Sequence, residues 1–431
     1  MSMLTIVFSL LLVLPNPLPP TEAVFGRMET VGDVRIVHVF GTADQMGYAH
    51  GYLVGEDFVV GMQELFGGMP PAAIAMLEFM RSWTPLIQIS DAQRTEMKAV
   101  YRGMLGRLGR KSMTLPGTDR VLDETDLLMW NGYDMFRAVG CSGFTAWGSQ
   151  TENGEVITAR NLDLGIFSPR WASNQIVLVR HPTEGKATAC VTPAGLVGIM
   201  TGINEDGVCG FLHDGNGPEM NAVLEPERPV MFAIRDILEQ ADVANAFVTA
   251  EAELKKQCPF PYSYMVRIVA PRSDTNTAAP ACVYRIDAEG FGRNAAEPNL
   301  AITTNHYLNA NNLTPTAFLD NSTNRYGKIQ SICHQDTNTD RGFVTDATAW
   351  AALRSVGADH LMMKTLHAVV IKPKSGEFQV SVAVMDKTGF ISCATDRPPV
   401  TLTRAQLFDV PPPMLQLIRP TTDDLSSLPT R

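Results

Sequence analysis

Close to residue 140 the chain changes its hydrophobic period, and that change bounds the folds open to it. Before this point apolar residues recur every three or four positions over 42–66, 71–82, 90–109 and 124–136, which predicts helices. A short strand is expected ahead of them, at 34–40. From Cys141 onward SGFTAWGS, EVITARN, NQIVLVR, ATACVTP and VCGFLHD are β-rich runs, separated by turn sequences such as ENG and EDG. Helices return at 230–240, 243–255 and from Ser322 into the region of Cys333, and strands at 264–270, 282–286, 367–372 and 378–384. Strands in a group, then helices, then strands predict a layered α+β architecture rather than a doubly wound parallel sheet.

With 431 residues, 45% hydrophobic and 19% charged, the chain has the composition of an ordinary folded protein. Its net charge of -10, with no Lys/Arg cluster, opposes a nucleic-acid partner, because such binding draws on clustered cations. The apolar run 4–14 is too short to span a bilayer. It fits the core of a secretory signal ending near Ala23, although no Lys or Arg precedes Arg27, so export to a secreted or periplasmic compartment is expected. No later stretch reads as a membrane span. The expected organisation is a signal peptide over 1–23, a helical prosegment over 24–140, a catalytic region over 141–408 and a Pro/Thr/Ser-rich tail over 409–431. The seven cysteines are widely and irregularly spaced, and Cys190 and Cys209 sit in apolar runs, which predicts mostly buried, unpaired thiols. Without CxxC or HExxH spacing, neither a metal nor a cofactor is expected.

The junction itself carries chemistry. A free thiol has a pKa of about 8.5 and needs a base beside it to act as a nucleophile. Cutting the Gly140–Cys141 bond would supply one, since an α-amine titrates at about 7.7 to 8.0 and could take the thiol proton. Glycine before the cysteine gives the thiol room to reach the preceding carbonyl. Taken alone, a Gly-Cys pair is an ordinary core cysteine in a strand.

Further motifs follow in order: RNLD at 160–163, GINEDG at 202–207, TTNHY at 303–307 and STNRY at 322–326, with GTADQMGYAHG at 41–51 upstream. In these the chain resembles the N-terminal nucleophile hydrolases, specifically the acyl-CoA:isopenicillin N acyltransferase family and the related choloylglycine hydrolases. The resemblance implies a four-layer αββα sandwich and self-cleavage before Cys141. Small and large chains of one precursor would then stay associated, and the activity would be cleavage of a non-peptide or peptide C–N amide bond, or transfer of the acyl group to an amine, through a Cys141 thioester, with a small-molecule N-acyl amide as the expected substrate.

By the same resemblance, Asp163 holds the freed amine of Cys141 and Arg160 lies beside the thiol. Asn305 donates to the oxyanion, and Arg325 supports the group. Arg160 and Asp163 fall on opposite faces of an ideal strand, so a bend near Asn161 is expected if both serve one site. One departure stands out: where the choloylglycine hydrolases place a second oxyanion asparagine, this chain has His213 or Asp214, with Asn216 two positions further on. An ionised Asp cannot donate, which leaves His213, a backbone N–H or Asn216. A Cys-His protease using His213 or His306, and a catalytically silent binding protein on the same fold, are the alternative readings.

Overall fold

The computed structural model describes residues 20, 22–132, 139–165, 169–220, 226–272, 278–312, 316–335, 344–360 and 363–413. The signal-like run and most of the expected tail lie outside them, as does the end of the helix expected over 124–136.

The N-terminal part gives β1 (Gly26–Val31), β2 (Val34–Gly41), α1 (Ala43–Gly68), α2 (Pro71–Arg81), α3 (Asp91–Leu108) and α4 (Glu124–Asn131). A hairpin follows, β3 (Val139–Gly148) and β4 (Gly154–Gly165), then α5 (Pro169–Ser173), β5 (Gln175–Pro182), β6 (Thr188–Pro193), β7 (Thr201–Asn204) and β8 (Cys209–Asp214). Next come α6 (Val230–Gln240), α7 (Ala246–Lys255), β9 (Tyr264–Val269), β10 (Ala281–Asp287), β11 (Gly290–Arg293) and β12 (Leu300–Thr303). The chain continues through α8 (Thr316–Gln335), α9 (Asp346–Ser355), β13 (Asp359–His360), β14 (Met363–Lys372) and β15 (Glu377–Val382). It ends with β16 (Val384–Met385), β17 (Ile391–Ser392), β18 (Val400–Leu402) and α10 (Arg404–Phe408).

Two sheets form the centre. One has nine strands in the order β1-β2-β5-β6-β7-β8-β9-β10-β11, and the other runs β12-β3-β4-β14-β15-β18 with β13 beside β14. Alternation along the strands decides the layers. Ile36, Val177, Val191, Phe211 and Val269 of the first sheet pack with Val369, Ile371, Phe378 and Val380 of the second, which makes the middle of a sandwich. Val37, Val39, Ile176 and Leu178 face the other way, toward Met46, Phe58, Val100 and Met104 of α1 and α3 and Phe232 and Ile237 of α6. Phe144, Ala159, Ile302 and Val370 of the second sheet pack on Ile329 and Cys333 of α8 and Trp350 and Leu353 of α9. The order is therefore αββα, as expected.

The N-terminal segment is more than helical. Strand β1 went unread in the sequence because half of its side chains are exposed and none is buried. It pairs with β2, which pairs in parallel with β5, so this segment completes the nine-stranded sheet. The 41–51 motif shows why α1 and α3 lie so close. Thr42 caps α1 in a box with Gln45, and added Cβ atoms at Gly47 and Gly51 would fall 2.2 Å from the Glu96 carbonyl oxygen and 1.9 Å from that of Val100. The GINEDG motif is likewise architectural. Asn204 accepts the Asp206 and Val208 N–H groups and donates to the carbonyls of Leu238 and Ala241, pinning the turn to the end of α6. No disulfide joins any two of the seven cysteines among the described residues.

Candidate active site

Strand β12 pairs with β3 only as far as Thr303 opposite Gly143. Two residues on, the Asn305 side chain continues the ladder: its Oδ1 accepts the Cys141 backbone N–H at 3.0 Å. Asn305 is itself fixed by Ser322 of α8, whose hydroxyl accepts the Asn305 N–H at 2.7 Å, and its Nδ2 donates to the Asp214 carbonyl at 2.9 Å. One turn along α8, Arg325 donates from Nη1 to the Cys141 carbonyl (2.5 Å) and the Ser142 hydroxyl (2.7 Å), and from Nη2 to Asn305 Oδ1 (2.7 Å). Both backbone groups of Cys141 are thus held by side chains, which fixes the residue where the sheet's own pairing stops.

The sulfur is held from the other strand of the hairpin. Arg160 donates from Nη2 to Cys141 Sγ at 3.2 Å and to the Leu212 carbonyl at 2.6 Å. Cys141 is fully buried, in the same apolar cluster as Leu127 and Trp130 of α4. Burial pushes its thiol up to about 11, with Arg160 opposing that rise and Asp214 and Asp163 adding to it. Asp163 sits across from Gly140 in the β3–β4 register, and its Oδ1 accepts the Thr365 hydroxyl at 2.6 Å. Burial raises the Asp163 pKa, against the pull of Thr365, Arg325 and Arg160.

The bend expected near Asn161 is not where the chain yields. Strand β4 keeps its register with β3 from Leu164 to Ile157, and the irregularity is in β14, between Thr365 and His367. One extra residue there puts Thr365 beside Asp163 on one face and His367 beside Leu162 on the other. Arg160 and Asp163 keep their opposite faces and approach Cys141 from its two sides.

Five expected residues, Cys141, Arg160, Asn305, Arg325 and, through its carbonyl, Asp214, are therefore joined by direct hydrogen bonds, with Gly140 and Asp163 alongside. His213 is fully buried on β8, and neither ring nitrogen has a hydrogen-bond partner among the described residues. Burial, then Arg267, Arg160 and Arg325, hold its pKa well below the usual value. Asn216 is buried in the loop after β8. His306 is occupied elsewhere, its Nδ1 lying 2.8 Å from the Ser322 hydroxyl. Neither histidine bonds to the sulfur, whose described partners are Arg160 and the Leu212 carbonyl.

Sequence reasoning missed Thr201, Gln175, His367 and Arg267. Arg160 donates from Nη1 to Thr201, and Arg267 is fully buried, donating to the Ala159 carbonyl at 2.8 Å. The available signal, for His367 and Arg267, was a single polar residue inside an otherwise apolar run, as in LHAVVI and MVRIVA. A cavity of about 340 Å³ lies at the far end of the hairpin, against Thr151, Glu152, Asp346 and Lys372, and is remote from this chemistry.

The family model described as acyl-coenzyme A:6-aminopenicillanic acid acyl-transferase matches residues 149–386. The chain belongs to this family. The match takes in Arg160, Asp163, Asn305 and Arg325 and begins after Cys141. Among curated proteins, protein dcd1B of Dictyostelium discoideum is 27% identical over 235 residues, which is 50% of this chain; the chain spans only 45% of that relative. Among solved structures, the chain is similar to a Caenorhabditis elegans ortholog of N-acylethanolamine-hydrolyzing acid amidase, with 18% identity and a TM-score of 0.38, covering 54% of this chain and 93% of that one. It is also similar to a variant conjugated bile acid hydrolase of Clostridium perfringens, with 10% identity and a TM-score of 0.40, covering 63% and 99%. The αββα order of this family member is seen directly in its own packed layers.

Proposed function

We propose that this acyltransferase-family member cuts itself between Gly140 and Cys141, and that the freed Cys141 is the nucleophile of an enzyme acting on small-molecule N-acyl amides. The observation that carries the reading is the clamp on Cys141: Arg160 at its sulfur, Asn305 at its nitrogen and Arg325 at its carbonyl. In the uncut chain Sγ would attack the Gly140 carbonyl, the bond to the Cys141 nitrogen would break to give a thioester, and water would release the Gly140 carboxylate. The new amine, facing Asp163, then takes the thiol proton. Sγ adds to a substrate amide carbonyl, the Asn305 amide donates to the oxyanion, the amine passes its proton to the leaving nitrogen, and water or an acceptor amine takes the acyl group from the thioester.

The second oxyanion donor would come from the 213–216 stretch, from His213, a backbone N–H or Asn216, since an ionised Asp214 side chain cannot donate. Export through the 1–23 segment belongs to the same reading. Mass spectrometry of the purified protein tests the reading: two fragments are expected, the larger beginning at Cys141. The Cys141→Ala variant should give one intact mass and no amide hydrolysis. An active protein of single intact mass, or an active Cys141→Ala variant, would overturn it.

A further inference from the structure

Arg160 is fully buried, and its contacts continue away from the thiol. Nη1 donates to the Thr201 hydroxyl on β7 and lies 3.3 Å from His367 Nε2 on β14. The Thr201 hydroxyl is 2.9 Å from the same Nε2, and His367 Nδ1 is 2.9 Å from Gln175 Oε1 at the start of β5. Arg160 Nε has no hydrogen-bond partner among the described residues, so these two Nη groups hold the guanidinium.

The protons in this chain have one consistent arrangement. A guanidinium is permanently charged and only donates, so whatever faces it must accept. Thr201 therefore accepts from Arg160 and directs its own proton to His367 Nε2, which must be bare. The neutral ring then carries its proton on Nδ1 and donates it to Gln175. The opposite tautomer would aim an N–H at the guanidinium. Burial and the charge of Arg160 both hold the ring neutral. The register irregularity in β14 is what turns His367 to this face, while Thr365 serves Asp163 on the other.

We infer that His367, through Thr201, is the positioning residue for Arg160, fixing which atom of its guanidinium meets the Cys141 sulfur and so how acidic that thiol is. The inference rests on Cys141 being the nucleophile. A long arginine side chain freed of this anchor has several rotamers open to it, and its charge would no longer be held against the sulfur.

The test is the pH dependence of iodoacetamide alkylation at Cys141, read by mass spectrometry on the Cys141 peptide of the full chain as purified. His367→Phe removes the acceptor and should slow alkylation near neutral pH by about five- to tenfold by shifting the thiol titration upward. His367→Gln, with an oxygen near the Nε2 position, should restore most of it. Thr201→Val, nearly isosteric, should reproduce the shift if the Phe variant does not fold. In an Arg160→Gln background neither change should add further loss. An unchanged titration in Thr201→Val and His367→Phe, or losses that add to that of Arg160→Gln, would overturn the inference. Failure of the functional reading looks different, as an uncut, inactive wild-type chain; there the buried thiol is read by the pH dependence of its 13Cβ chemical shift, which needs no reagent at the sulfur and should still move in His367→Phe and Thr201→Val.

Discussion

Arg160 and Asp163 stand three residues apart on one unbroken strand, with Arg160 bonded to Thr201 in the opposing sheet and Asp163 bonded to Thr365 on the helix-facing side. Cys141 lies in the neighbouring strand between them, its sulfur on the Arg160 side and its preceding residue on the Asp163 side. A cation is thus at the thiol and an acidic side chain is beside the Gly140–Cys141 bond, without one neutralising the other.

Asp163 is held at a cost that its neutral analogue would relieve. Because burial raises its pKa, the folded state binds the proton more tightly than the unfolded state, and stability is lost as pH rises through the folded value. Asp163→Asn should therefore be at least as stable as the parent at pH 7, with the difference vanishing below about pH 4, where both states are protonated. The same variant should stop the proposed self-cleavage. Melting curves at the two pH values, with fragment masses, read both outcomes.

Acid should loosen the N-terminal segment. His50 on α1 accepts the Gly195 N–H through Nε2 at 3.1 Å, which requires a neutral ring, and burial lowers its pKa to about 3. Between that value and the unfolded value near 6.5, the unfolded state binds more protons, so stability falls as pH drops through this window. His38 and His181, lowered to about 3 and about 4 chiefly by burial, act in the same direction. His50→Gln keeps an acceptor that does not titrate, and its stability should fall less steeply from pH 6.5 to pH 4 in denaturant titrations.

Glu96 binds the N-terminal segment to the rest of the protein. Its carboxylate on α3 meets Arg235 of α6 at 2.6 Å and Arg180 of β5 at 3.2 Å, and all three are buried. Burial would raise its pKa, but the two guanidiniums hold it below the usual range. Glu96→Ala leaves two buried cations without their shared partner and should cost about 3 to 5 kcal/mol. A urea unfolding curve indistinguishable from that of the parent would contradict this.

Gly143 is fixed by a close approach. A Cβ there would lie 2.5 Å from the Ala159 carbonyl oxygen and 2.7 Å from Arg267 Nη2, and neither a strand backbone nor a fully buried arginine can move aside freely. Gly143→Ala should destabilise the protein by about 1 to 3 kcal/mol through overpacking, seen as a lower urea midpoint with an unchanged slope.

The periods in the sequence carried most of the layers. Helices over 43–68, 71–81 and 91–108 follow from three- and four-residue spacing, and the β-rich runs after Cys141 follow from strand composition and turn residues. Strand β1 escaped because an edge strand with no buried side chain has no apolar alternation to read. For the site, Cys141, Arg160, Asp163, Asn305 and Arg325 were legible because each lies in a short motif and the motifs occur in order.

The sequence by itself determined which residue types flank the Gly140–Cys141 bond and where helices give way to strands. Only the tertiary structure decided that His367, 207 positions from Arg160, anchors it from another strand, and that the irregularity resolving the two faces lies in β14 rather than β4. The reason is physical. Periodicity is a local property of consecutive residues, whereas the direction of a buried proton and the register of a neighbouring strand depend on groups far away in the chain, brought together only when the sheets pack.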